Sequence, residues 1–107
     1  MDLNHLERES DLYMRVYISG PITGHDDYRE TFAEAEKQLA AAGYDVTNPV
    51  RATEHLNDLT YEQLMQIDIV LLDFCDAIYM LPGWQQSKGA NREYGYALGA
   101  GKTILEG

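Results

Sequence analysis

The stretch Leu81-Pro82-Gly83-Trp84-Gln85-Gln86-Ser87-Lys88-Gly89-Ala90-Asn91-Arg92-Glu93-Tyr94-Gly95-Tyr96-Ala97-Leu98 reads as the end of a strand, a loop with two glycines and a serine, and a helix. A strand that feeds a helix through a short loop is the unit of a parallel sheet, and it sets the reading of everything around it. The glycines let backbone approach a ligand closely, and the helix start presents N–H groups to a polar or anionic one. The spacing predicts a helix from Asn91 to about Ala100, stopped by Gly101. Glu93 then falls in its first turn, where the helix dipole would keep a carboxylate ionised.

Outward from that stretch, the same unit repeats. Ala77 to Leu81 reads as the strand before it and Thr103 to Leu105 as a short strand after it. Met14 to Ser19 alternates, with Val16 and Ile18 on one face and Tyr17 on the other, the pattern of a first strand. Gly20-Pro21-Ile22-Thr23-Gly24 closes that strand. A helix follows from about Asp27 to Ala42, with Tyr28, Phe32, Ala35, Leu39 and Ala42 as its apolar stripe. Tyr44 to Thr47 is a second strand ended by Asn48-Pro49, residues 50–59 read as irregular, and Tyr61 to about Phe74 reads as a helix. Within it, Ile67 to Leu72 is apolar enough to pass for a strand. The order implies one three-layer α/β domain over residues 14–107, of flavodoxin or Rossmann type. Its sheet would be mostly parallel, of four to five strands, with helices on both faces. Residues 1–13 are polar and acidic and read as a leader outside the fold. In such sheets ligands bind beyond the carboxyl ends of the strands. The Gly20–Gly24 loop, Asn48-Pro49 and the Pro82–Asn91 loop all fall at that edge.

Composition narrows the function. The chain has 107 residues, 45% of them hydrophobic and 24% charged, and a formal net charge of −10. One modest core is all that length supports, and so negative a chain is a poor non-specific ligand for nucleic acid. No apolar run reaches the roughly 20 residues of a membrane span. One cysteine, Cys75, excludes an internal disulfide and fits a reducing cytoplasm. Three scattered histidines and that cysteine make no metal site.

Two carboxylates stand out. Glu93, beside Gly83, Ser87 and Gly89, is placed as a nucleophile, although acids are also common in first turns simply because they offset the dipole. Asp68 sits among Tyr61, Leu64, Met65, Leu71, Leu72 and Cys75 at helical spacing. A carboxylate on an apolar face must be paired, protonated or functional. Tyr17 is either a core tyrosine with a satisfied hydroxyl or a site residue. Ser87 could serve a ligand or cap a helix, and Trp84 could stack on a base or anchor a lid or subunit contact.

These residues resemble the nucleoside 2-deoxyribosyltransferases and the related 2′-deoxynucleoside 5′-phosphate N-hydrolases, and within that superfamily a small branch found in bacteria and phages. The resemblance covers residues 14–105 and is densest from Gly89 to Lys102, where the family carries a glycine, a catalytic glutamate, a Gly-Tyr-Ala-like run and a Gly-Lys pair. It implies Glu93 as nucleophile, Asp68 as the aspartate that contacts base or ribose and assists proton transfer, and Tyr17 as the tyrosine that orients the glutamate. Ser87, six residues before Glu93, matches a phosphate-contacting serine of the hydrolases. The first-loop arginine or lysine of those hydrolases is replaced here by Pro21-Ile22-Thr23-Gly24. The expected substrate shell is Ser19, Gly20, Pro21, Ile22, Asn48, Trp84, Ser87 and Gly89. The expected activity is cleavage of the N-glycosidic bond of a nucleoside or its 5′-monophosphate, with no cofactor. The sugar would pass to water or to another base, in a homodimer or larger homo-oligomer. The alternative is a non-catalytic nucleotide-binding protein on the same fold.

Overall fold

The computed structural model describes residues 14–107; the expected leader, residues 1–13, lies outside the described residues. Four strands form one sheet: β1 (Arg15–Ser19), β2 (Asp45–Thr47), β3 (Ala77–Met80) and β4 (Thr103–Glu106). Their order is β2-β1-β3-β4 and every pairing is parallel. The helices are α1 (Tyr28–Ala41), α2 (Pro49–Thr53), α3 (Tyr61–Asp73) and α4 (Lys88–Gly99), with a single 3₁₀ turn at Trp84–Gln86. None of the helices among the described residues is long and apolar enough to cross a membrane.

The three layers follow from the alternation of β1 and β3. Val16, Ile18 and Ala77 pack with Phe32, Ala35 and Leu39 of α1 on one side of the sheet. Tyr17, Ile78 and Met80 pack with Leu72 of α3 and with Ala90 and Ala97 of α4 on the other. A strand's side chains point alternately to its two faces, so β1 is buried on both. β1 connects outward to β2, and the chain then crosses back to place β3 on the other side of β1. The strand order therefore reverses between β1 and β3, the position where open α/β sheets leave a crevice. Gly20 and Leu81 meet there: a Cβ on Gly20 would lie 2.7 Å from the Leu81 Cβ, so only glycine lets these two strand ends come together.

Two expectations change, and the helix expected from Tyr61 holds through Ile67–Leu72. Residues 49–53, expected to be irregular at 50–53, form α2. Pro49 occupies its first turn, and the Asn48 side chain accepts hydrogen bonds from the backbone N–H groups of Val50 (3.0 Å) and Arg51 (3.4 Å). An Asn-Pro pair read as the close of a strand is thus equally a cap followed by a proline at a helix start. The segment Ile67 to Leu72 is helical, and α3 begins with a reciprocal capping box between Thr60 and Gln63. α4 begins at Lys88, three residues before the expected start, because Ser87 Oγ accepts the Ala90 N–H (3.2 Å) and acts as the cap. Glu93 consequently lies in the second turn, beyond the reach expected of the dipole.

Candidate active site

The crevice between the ends of β1 and β3 opens into a cavity of about 460 Å³, a size suited to a small molecule. Its floor is formed by Ile18 and Gly20 at the end of β1 and by Ser87, Gly89, Ala90 and Glu93 of the loop and helix α4. Asp68 and Met65 of α3, Ile22 and Thr23 of the loop after β1, and Glu54 and residues 56–59 also line it.

Glu93 is the centre of the arrangement. Only 6% of its surface is exposed, and both carboxylate oxygens are held. The Tyr17 hydroxyl donates to Oε2 and the Ser19 hydroxyl donates to Oε1 at 2.7 Å. Residues 17 and 19 share one face of β1, so a single strand supplies both donors to a helix 74 residues or more away in sequence. Two donors on two oxygens fix the rotation of the carboxylate as well as its position.

The electrostatics reverse the expectation from sequence. Burial raises the Glu93 carboxyl to about 6, and the hydrogen bonds from Tyr17 and Ser19 hold it back from rising further. The helix dipole was expected to depress it; the helix starts too early for that, and desolvation prevails. Asp68 is buried at 8% exposure. Burial first, and the Glu93 charge second, push its carboxyl up to about 7. Its Oδ1 has no hydrogen-bond partner among the described residues. A buried acceptor without a partner is costly in a folded protein and marks a position where a ligand group can complete the site. The Tyr17 hydroxyl is raised well above its ordinary value, chiefly by burial and then by the Glu93 charge, so it stays protonated and remains a donor.

Of the residues singled out from sequence, Gly20, Ile22, Asp68, Ser87, Gly89 and Glu93 line the cavity. Tyr17 and Ser19 stand behind Glu93. Three residues of the expected substrate shell lie elsewhere. Asn48 caps α2 and donates to Glu36 of α1 at 3.0 Å. Trp84 stacks flat on Tyr94, with ring centroids 4.6 Å apart, and neither it nor Pro21 lines the cavity. Sequence reasoning missed Tyr28 and Arg29 at the start of α1, together with Glu54 and residues 56–59, all of which line the cavity. The apolar Leu56 and Leu59, about 40% exposed in an otherwise polar segment, were the available signal.

The parallel α/β sheet with helices on both faces has the fold of the 2-deoxyribosyltransferases, as solved structures show. The chain superposes on the 2-deoxyribosyltransferase of Bacillus psychrosaccharolyticus with a TM-score of 0.66 at 17% identity, covering 86% of this chain and 70% of that one. On the 2-deoxyribosyltransferase of Leishmania mexicana the TM-score is 0.60 at 28% identity, over 87% of this chain and 63% of that one. This chain therefore spans less than two thirds of the Leishmania enzyme's length. The chain belongs to the family described as Domain of unknown function (DUF4406), which matches residues 14–106. No curated protein matches it in sequence.

Proposed function

We propose that this protein cleaves the N-glycosidic bond of a nucleoside or nucleoside 5′-monophosphate, with Glu93 as the nucleophile. The observation that carries the reading is the buried Glu93 carboxylate, held through both oxygens by Tyr17 and Ser19 and facing the same cavity as the unpartnered Asp68. The likeness to two 2-deoxyribosyltransferases supports it.

The chemistry follows from the bond. As C1′–N breaks, positive charge develops on the sugar and the electron pair of the bond moves to the base nitrogen. A Glu93 oxygen attacks C1′ and forms a glycosyl ester, as in retaining glycosidases. Asp68 delivers its proton to the departing base. A carboxyl raised to about 7 still carries that proton near neutrality, whereas one at about 6 is already largely ionised. This ordering assigns Asp68 as acid and Glu93 as nucleophile. Tyr17 and Ser19 hold the carboxylate in line and limit its freedom before attack. In the second half, water or a second base attacks C1′, its proton passes to Asp68, and the Glu93 carboxylate is released. The alternative of a non-catalytic nucleotide-binding protein keeps the pocket and omits these steps.

The test is a chromatographic assay for free base. The chain is incubated with 2′-deoxynucleosides, ribonucleosides and their 5′-monophosphates near pH 6.5, with and without an acceptor base. Base released without acceptor and lost in Glu93→Ala establishes a hydrolase; new nucleoside formed only with acceptor establishes a transferase. Binding without turnover in any arm transfers the reading to the non-catalytic alternative.

A further inference from the structure

The loop between β3 and α4 is clamped by a residue that never reaches the cavity. Asn91 lies on α4 two positions before Glu93, about 200° around the helix from it, and is exposed on the side away from the site. Its side-chain amide turns back under the loop. It donates to the carbonyl oxygens of Ser87 (2.8 Å), Gln85 (3.0 Å) and, at longer range, Trp84 (3.4 Å). Beside it, Trp84 lies flat on Tyr94, one turn further along the same helix face, with an interplanar angle of 9°. Gly83 opens the turn in the left-handed region, at φ 85°. The loop is thus fastened to α4 at both its backbone and its one large side chain.

Asparagine is a mediocre helix former, because its amide competes for backbone groups. Here that tendency is used: the amide pairs the Gln85 carbonyl and adds a second donor to the Ser87 and Trp84 carbonyls, which already accept the backbone N–H groups of Asn91 and Ser87. The clamped segment ends in Ser87, which caps α4 and lines the cavity, and Gly89 lines it one residue into the helix. Glu93, by contrast, is held from the opposite side by Tyr17 and Ser19 of β1. The two sets of contacts are independent.

We propose that Asn91 is a positioning residue for substrate binding, which presets the Ser87–Gly89 wall of the cavity through the Trp84–Ser87 loop. The proposal rests on the functional reading above, and it separates two quantities. Loosening the clamp weakens contacts made equally in the bound and transition states, which raises KM and leaves kcat in place. Trp84 is the single tryptophan of the chain, so its fluorescence reports the loop directly.

The experiment compares the wild-type chain with Asn91→Ala and with Asn91→Asp. The aspartate keeps the shape but sets an acceptor against carbonyl acceptors. Three readouts are taken: melting temperature, iodide quenching of Trp84, and kcat and KM for the four 2′-deoxynucleosides. The expected result is that both variants melt within a few degrees of wild type and Trp84 becomes more accessible to iodide. KM rises on the order of tenfold, more in Asn91→Asp than in Asn91→Ala, and kcat stays within about twofold. Unchanged KM, with Trp84 freed or not, overturns the proposal. So does a fall in kcat that tracks loss of folded protein, which marks a merely structural role. If the wild-type chain turns over none of these four compounds, 2′-deoxynucleosides are excluded as substrates independently of the clamp. The clamp is then judged by the dissociation constants of the same four nucleosides, and an unchanged constant in both variants, or no binding by the wild type, overturns it.

Discussion

Val16 and Ile18 of β1 pack against α1, whereas Tyr17 and Ser19, the alternate residues of the same five-residue strand, pack toward α4. The first face is closed by Phe32, Ala35 and Leu39 with no buried ionisable group among its core members. The second buries two carboxyls and a phenol within a layer otherwise made of Leu72, Ile78, Met80 and Ala97. Both faces exclude water, but to opposite ends. On the α1 side, exclusion stabilises the fold in proportion to apolar area. On the α4 side it raises the Asp68 and Glu93 carboxyls, a cost to folding that gives the site its chemistry.

The largest expected effect lies on the α4 face. Glu93→Gln preserves shape and the capacity to pair with Tyr17 and Ser19 but removes the proposed nucleophile. Turnover of whichever nucleoside is a substrate should fall on the order of 10⁴-fold, with binding retained. Residual turnover within tenfold of wild type would move the nucleophile elsewhere and erase the distinction between the two faces.

The mirror experiment is Leu39→Ala on the α1 face. Removing this buried side chain should destabilise the chain by about 2–4 kcal/mol, read as a lower midpoint in urea. The turnover per folded molecule should not change, since Leu39 lies outside the cavity. A loss of turnover larger than the loss of folded protein would show that the faces are coupled.

Tyr17→Phe sharpens the comparison at the strand itself. The ring stays in the core, and one of two donors to Glu93 is lost while Ser19 remains. About 10²-fold in kcat is expected, the usual effect of removing one fixed donor. Stability should fall by about 1–2 kcal/mol near neutrality, because a buried carboxylate oxygen loses its donor. A rise in KM with no change in kcat would assign Tyr17 to binding instead.

How much of this was legible in the sequence differs between the two faces as well. The apolar stripe of α1 and the alternation of β1 are periodic, so local pattern reveals which residues go inside. The mostly parallel sheet was expected from the alternation of strands and helices, and the structure makes every pairing parallel. The identities of Asp68, Glu93 and Tyr17 as site residues were visible because each is polar where its neighbours are apolar, and through the resemblance. The Tyr17–Glu93 pairing was expected only through the resemblance, and the Ser19–Glu93 contact was not expected, because both join residues separated by the whole sheet crossover. The misplaced helix start had a local cause: Ser87 was weighed as ligand contact or cap, and choosing the cap moves α4 by three residues and takes Glu93 out of the first turn. Asn48 and Trp84 illustrate the opposite error. Polar and aromatic residues beside the cavity loops were expected in the substrate shell, whereas Asn48 pairs with Glu36, Trp84 stacks on Tyr94, and neither lines the cavity.

The smallest effect tests the comparison most directly, because it asks whether the α4 face is strained by its own chemistry. Asp68 is raised to about 7 in the folded chain, from 3.8 for a free carboxyl. The folded state therefore binds this proton more tightly than the unfolded state, and the resulting stability is present in full below about pH 4. It is lost as pH rises through that window and is gone above about pH 7. Asparagine does not titrate, so Asp68→Asn escapes the loss. At pH 8 the variant should be more stable than wild type by about 1–2 kcal/mol, or several degrees in melting temperature for a chain of this size. At pH 5 the difference should shrink, because wild-type Asp68 is then protonated. Glu93 remains in both proteins and contributes a similar, narrower decline up to about pH 6. The measurement is a pair of thermal melts at pH 5 and pH 8. A variant less stable than wild type at pH 8 would mean that the buried carboxylate is already well satisfied, and the two faces of β1 would then differ in polarity but not in strain.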